Sequence, residues 1–206
     1  MRPDGLQERF RALRNLVDAP ADLFFDQWLR LYDRARAAQA ELLIEIGRGY
    51  GNSTVVLTEA AHDLDSRIIS VGDDMVYGWE TRTRPRLLSV VDEAWFEPLT
   101  VVQGDVRHFT PPPCRRAFLF WDAHGPEVAE AIFGRVLPAL PSGETSVVVH
   151  DISTPEEAVA NPLDIGYPYE WRGFVSPFEE LSLIGTWLEA RGLTVEQDTG
   201  MLAFAV

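Results

Sequence analysis

Leu42-Leu43-Ile44-Glu45-Ile46-Gly47-Arg48-Gly49-Tyr50-Gly51-Asn52-Ser53 is the stretch that decides how this chain folds. An apolar run closed by glycines is the pattern of a strand buried on both faces and ending in a sharp turn. Asn52 and Ser53 then read as capping residues ahead of a helical pattern over 52–62. At such a strand–turn–helix junction, glycines allow the backbone to approach a ligand closely. The spacing is G-x-G-x-G, not the G-x-G-x-x-G of dinucleotide sites. Nor is it a phosphate loop, because no Gly-Lys-Ser/Thr follows and the chain contains no Lys. Glu45, two residues before the first glycine, would repel a pyrophosphate and suits an ammonium group. The loop predicts a ligand with a cationic end.

Outward from the loop, short apolar runs recur at 67–71, 99–102, 117–121 and 146–149. Helical patterns at 52–62, 84–92 and 127–137 lie between them. Strands alternating with helices predict an α/β fold with a parallel sheet and right-handed crossovers. Downstream, a helix over 178–191 stops at Gly192, a suitable residue to follow a helix. Leu193–Glu196 and Met201–Val206, separated by Gln197-Asp198-Thr199-Gly200, read as a hairpin closing one sheet edge. Upstream, 4–40 reads as helical, with Leu6, Phe10, Leu13, Leu16 and Val17 on one stripe. The pattern resumes after Asp18-Ala19-Pro20 with Leu23, Phe24, Trp28, Leu31 and Tyr32. The expected organisation is an N-terminal helical segment, 1–40, and a ligand-binding domain, 41–206. Within the latter, 152–177 lacks a clear period and is rich in Pro and aromatics, as a functional lid would be.

Composition narrows the chemistry. Of 206 residues, 46% are apolar and 24% charged, ordinary proportions for a globular protein. Eighteen basic residues, all Arg, against 32 acidic ones give a net charge of −14. That balance excludes nucleic-acid binding driven by charge and suits small or cationic ligands. The single Cys114 forms no internal disulfide, zinc site or redox pair. No apolar run approaches the ~18 residues of a membrane span. The opening MRPDGLQERFRALRN lacks the apolar segment of a secretory signal, so the expectation is a cytoplasmic protein. The amphipathic N-terminal helices offer a surface on which a homodimer would pair.

Further along, each strand-like run ends in acidic or histidine residues. Val71-Gly72-Asp73-Asp74, Gln103-Gly104-Asp105-Val106, Phe120-Trp121-Asp122-Ala123-His124 and Val149-His150-Asp151 follow in order. Together with the glycine loop, this series resembles the class I S-adenosylmethionine (SAM)-dependent methyltransferases. Within them it looks like the macrocin- and cephamycin-type small-molecule O-methyltransferases, over residues 41–151. The resemblance implies a Rossmann-like seven-stranded sheet of order 3-2-1-4-5-7-6 with the last strand antiparallel. It also implies methyl transfer from SAM to a small-molecule acceptor, most naturally at a hydroxyl. The cofactor residues it implies are Glu45, Gly47, Gly49, Gly51, Asn52 and Ser53 of the glycine loop, with Glu45 at the methionine end, and Asp122 after the fourth strand. Asp73 or Asp74 would hold the ribose, and Asp105 with Val106 the adenine. The sequence departs from that subgroup at His124, which lies two residues after Asp122 rather than three.

Strand ends at the carboxyl edge of a parallel sheet face one crevice, so Asp122, His150 and Asp151 are expected together. Two roles follow. These three residues would bind Mg²⁺ or another divalent metal, or His150 would act as a general base with Asp122 beside it. Tyr167, Tyr169 and Trp171 of the lid are the residues expected to meet the acceptor. His62 and His108 read as structural, and Trp79 carries no assigned role. Two other classes compete: a SAM-binding protein of the same fold without turnover, and a nicotinamide oxidoreductase. The glycine spacing and Glu45 disfavour the latter.

Overall fold

The computed structural model describes residues 5–17, 22–161, 163 and 165–206, apart from the side chains of Asp74 and Val76. The parallel strands are β1 (Leu42–Ile46), β2 (Arg67–Gly72), β3 (Leu99–Gln103), β4 (Ala117–Trp121) and β5 (Thr145–His150). A short separate hairpin follows, β6 (Tyr169–Trp171) and β7 (Phe174–Ser176), and then β8 (Glu196–Gln197) and β9 (Met201–Ala205). The main sheet runs β3-β2-β1-β4-β5-β9-β8, with β9 antiparallel to β5. Setting the separate hairpin aside, this is the expected order. The closing hairpin is shorter than its sequence suggested, because Leu193 and Val195 pack onto the core from a non-strand segment.

Register decides where the chemistry lies. Ile46 is level with Val71 of β2 and Trp121 of β4, and Trp121 is level with Val149 of β5. The next residue of each strand, Gly47, Gly72, Asp122 and His150, therefore reaches the same sheet edge together.

Both faces of the sheet are covered. On one lie α1 (Leu6–Arg14), α2 (Phe25–Ala38) and α3 (Asn52–Leu64). Phe10 meets Trp28 and Tyr32 edge-on at 5.6 and 5.5 Å, above Phe118 and Phe120. Each such pair adds about 0.5–1.5 kcal/mol to simple burial. The apolar stripes of the N-terminal helices are thus covered by the chain's own sheet and α3. On the other face, Leu42, Ile44 and Ile46 pack with Val128 and Ile132 of the helical run that begins as α6 (Pro126–Ala131). Leu181, Ile184 and Leu188 of α8 (Glu180–Arg191) complete that layer. The alternation along β1 sends Leu43 to the α3 face and Leu42, Ile44 and Ile46 to the opposite one. By the same alternation Glu45 lies beneath α3.

The helix expected over 84–92 differs. α4 (Asp74–Tyr77), a wide turn over 79–83 and α5 (Arg84–Leu87) occupy this region, and the helix ends early. Asp92 caps the following 3₁₀ turn by accepting from the Trp95 N–H at 3.1 Å, a local alternative to continued helix. The aperiodic stretch 152–177 also has structure of its own. α7 (Pro155–Ala160) starts in a capping box, with Thr154 and Glu157 bonding each other's backbone N–H at 2.8 and 3.2 Å. Ser153 bridges to Val175, which ties the start of the segment to its end.

Candidate active site

The glycine loop is built from inside. Gly47 lies so close to β4 that a Cβ there would fall 2.1 Å from the carbonyl oxygen of Asp122. A Cβ at Gly51 would fall 2.4 Å from the ring of Trp79, which is fully buried against it. These two glycines are required by packing. Gly49 differs: the nearest atom to a Cβ there is Asp22 Oδ2, at 3.8 Å. The open side of the loop is at Gly49.

Glu45 is completely buried and accepts from Ser53 Oγ at 2.5 Å, Thr54 Oγ1 at 2.7 Å and Ser70 Oγ. Burial pushes its carboxyl pKa up, while the three hydroxyl bonds and the Arg48 charge oppose that rise. Arg48, also buried, donates to the carbonyls of Ser70 and Gly72 at 2.8 and 3.3 Å. The expectation that Glu45 meets a ligand's ammonium directly is corrected here. Strand alternation turns it under α3, where it ties loop, helix and β2 together. The expectation that Asn52 or Ser53 caps α3 is corrected as well. Gly51 is the cap residue, and the Ser53 hydroxyl points inward to Glu45.

Beyond the loop, Asp73 stands exposed at the end of β2 and accepts from the Met75 N–H at 3.0 Å and from Gln103 at 3.2 Å. The Asp74 side chain lies outside the described residues. Asp105 caps the turn over Val106–His108, and Arg107 grips both of its oxygens at 2.6–3.0 Å. Those bonds hold its carboxyl down at about 2. Val106 packs half-buried against the α6–α8 face.

Asp122, His150 and Asp151 converge as expected. His150 Nδ1 lies 3.1 Å from Asp122 Oδ1 and 3.5 Å from Asp151 Oδ1. Asp151 has φ 57°, a left-handed conformation that Asp tolerates better than most residues. His124 joins them. Its Nε2 lies 3.4 Å from Asp151, its Nδ1 2.7 Å from the buried Glu180, and its ring stacks on Phe178 at 3.5 Å. Burial disfavours the charged form of both histidines, but the surrounding carboxylates outweigh it. His124 is pushed up to about 9 and His150 well above its ordinary value, while the two imidazolium charges hold Asp151 low against its own burial. Asp22 is the exception among the acids. Crowding by the protein and the charge of Asp122 raise its carboxyl pKa to about 6.

A cavity of about 830 Å³ opens from this cluster, with Asp22, Phe24, His150, Asp151, Tyr167 and Phe178 on its wall. Of the three lid aromatics expected at the acceptor, only Tyr167 is there. The others are corrected. Alternation along β6 turns Tyr169 and Trp171 onto α8, where Trp171 covers Gly185 and donates to Glu189 at 2.9 Å. Sequence reasoning missed Asp22, Arg48 and Glu180. Arg48 stands inside the glycine motif and was open to notice. Asp22 and Glu180 carry no local signal, since only the tertiary fold brings them here.

No protein-family model and no curated protein sequence matches the chain. Solved structures do. The O-methyltransferase TomG of Streptomyces achromogenes, involved in tomaymycin synthesis and determined with SAM, is 20% identical; the match covers 100% of this chain and 91% of that one, with a TM-score of 0.64. This chain has the class I methyltransferase fold. A Bacillus cereus O-methyltransferase in complex with S-adenosylhomocysteine (SAH) matches at 17% identity over 100% and 93% of the two chains, TM-score 0.62. CalS11, a TDP-rhamnose 3′-O-methyltransferase of calicheamicin biosynthesis, matches at 15% over 100% and 95%, TM-score 0.61. In this methyltransferase fold the antiparallel β9 occupies the place beside β5. The dinucleotide fold has a parallel strand at that position, which removes the structural ground for the oxidoreductase alternative.

Proposed function

We propose that the protein transfers the methyl group of SAM to a hydroxyl of a small molecule held in the cavity at the ends of β4 and β5. One observation carries this reading: the loop glycine that faces open space, Gly49, looks toward Asp22, which shares the wall of one cavity with His150 and Asp151. When bound, SAM supplies a methyl group activated on sulfonium. The chain's part is alignment and proton management. Gly47 and Gly51 fix the loop, and Glu45 with Ser53, Thr54 and Ser70 holds it against α3. Asp73 is the ribose partner at the β2 end, and Asp105 with Val106 lines the adenine side. Asp122 lies between the two halves of the site. Tyr167, Phe24 and Phe178 contact the acceptor, and segment 152–177 covers it from water.

At the acceptor hydroxyl, the charges of Asp122 and Asp151 favour the protonated form of His150. It takes a proton only after losing its own. Asp122, His150 and Asp151 present ligand atoms all within 4.8 Å of one another, a donor set that fits a divalent ion. A metal there would lower the pKa of a bound hydroxyl, and His150 would shed its proton to ligate it. The ligand pocket and the acidic balance suit a small molecule rather than nucleic acid, and no helix among the described residues is long and apolar enough to cross a membrane. We assign it to the cytoplasm.

Methyl-labelled SAM incubated with the protein and a panel of sugars and phenols tests the reading. Label on an acceptor oxygen is the expected result. SAH binding without transfer to any member, with or without added Mg²⁺, would favour a binding protein that lacks turnover.

A further inference from the structure

Asp22 is an acid without a counterpart. It stands ahead of α2, and its Oδ2 lies 3.8 Å from the point where a Cβ on Gly49 would sit. Among the described residues it makes no hydrogen bond and no ion pair. Its neighbours by charge are Asp122 and Asp151, which repel it, and His124 and His150, which attract it but are engaged with other carboxylates. Its carboxylate is exposed on the cavity wall and has no donor among the described residues, so it is open to pair with a cation that enters the cavity. Glu45, the acid that sequence places at this loop, cannot serve, because its oxygens are enclosed by Ser53, Thr54 and Ser70.

We infer that Asp22 receives the α-ammonium of the amino-acid end of the cofactor, over the open side of Gly49. The inference rests on the SAM reading and deepens it. It makes Asp22, just ahead of α2, part of the cofactor site, so the N-terminal part of the chain contributes directly to binding. The carboxylate and ammonium form a charge-assisted hydrogen bond, stronger than one between neutral groups.

Calorimetry with two ligands tests it. SAH carries the amino-acid end, whereas 5′-methylthioadenosine has the same nucleoside without it. Asp22→Asn should weaken SAH about 10- to 100-fold and leave 5′-methylthioadenosine within about twofold, as expected for one lost bond to a charged group. Asp22→Glu, which keeps the charge on a longer stem, should recover part of the SAH affinity. An unchanged SAH affinity in Asp22→Asn, or equal losses for both ligands, would overturn the inference while leaving the cofactor reading in place. Failure of the unaltered protein to bind SAH at all would overturn the cofactor reading itself.

Discussion

Among the residues of the site, charge explains most of what is testable. Asp22 has a folded pKa of about 6, above the ordinary ~3.9 of an aspartate, so its protonated form favours the folded state. Stability from this group increases as pH falls from above 6 toward 4 and is absent above 6. Asp22→Asn should therefore raise the Tm at about pH 7.5, and the difference should disappear near pH 4, as thermal unfolding across pH will show. His124 works in the opposite direction. Its folded pKa is pushed up to about 9, so its contribution is full below about 6.5 and is lost as pH rises through 9. His124→Gln should lower the Tm at neutral pH and make little difference near pH 10. His150 and the metal compete for one nitrogen, so divalent-ion affinity measured by calorimetry should rise with pH. Asp122→Ala and Asp151→Ala should weaken that affinity alike. Activity that survives EDTA and is unaltered in His150→Ala would remove both the metal and the base, leaving alignment as the whole of the catalysis.

The elements show where sequence reading reaches its limit. β1 was legible because an apolar run ending in glycines has few alternatives, and period-2 alternation alone would have turned Glu45 under α3. α7 was equally legible in principle, since Thr154-Pro155-Glu156-Glu157 is a capping-box sequence. Thr154→Ala should cost about 1 kcal/mol in denaturant unfolding. The helix over 84–92 was misplaced because the capping by Asp92 competes with continued helix, and apolar spacing does not register a side-chain bond. Tyr169 and Trp171 were misassigned because composition marks a segment as aromatic without telling which face a strand turns inward. The consequence is measurable. Tyr167→Ala should raise the acceptor KM, whereas Trp171→Ala should lower the Tm with little change in that KM. The reverse pattern would return Trp171 to the cavity.

For the whole molecule, the order of acidic positions along the chain was enough to place the sheet edge, because a parallel sheet brings every strand's carboxyl end to the same side. Asp122, His150 and Asp151 meet for that reason. Asp22 and Glu180 were not legible, since they arrive from the N-terminal segment and from α8 by packing that no local pattern encodes. Those N-terminal helices belong to the main hydrophobic layer, and Phe10→Ala should cost about 3–5 kcal/mol. The central claim is that the glycine loop and the sheet edge together form a SAM site. Calorimetric titration of the unaltered protein with SAH, beside NAD⁺ and the variant Gly49→Val, tests it most directly. SAH should bind, NAD⁺ should not, and the valine should remove SAH binding by filling the open side of the loop at Gly49; NAD⁺ binding in place of SAH would contradict a SAM site.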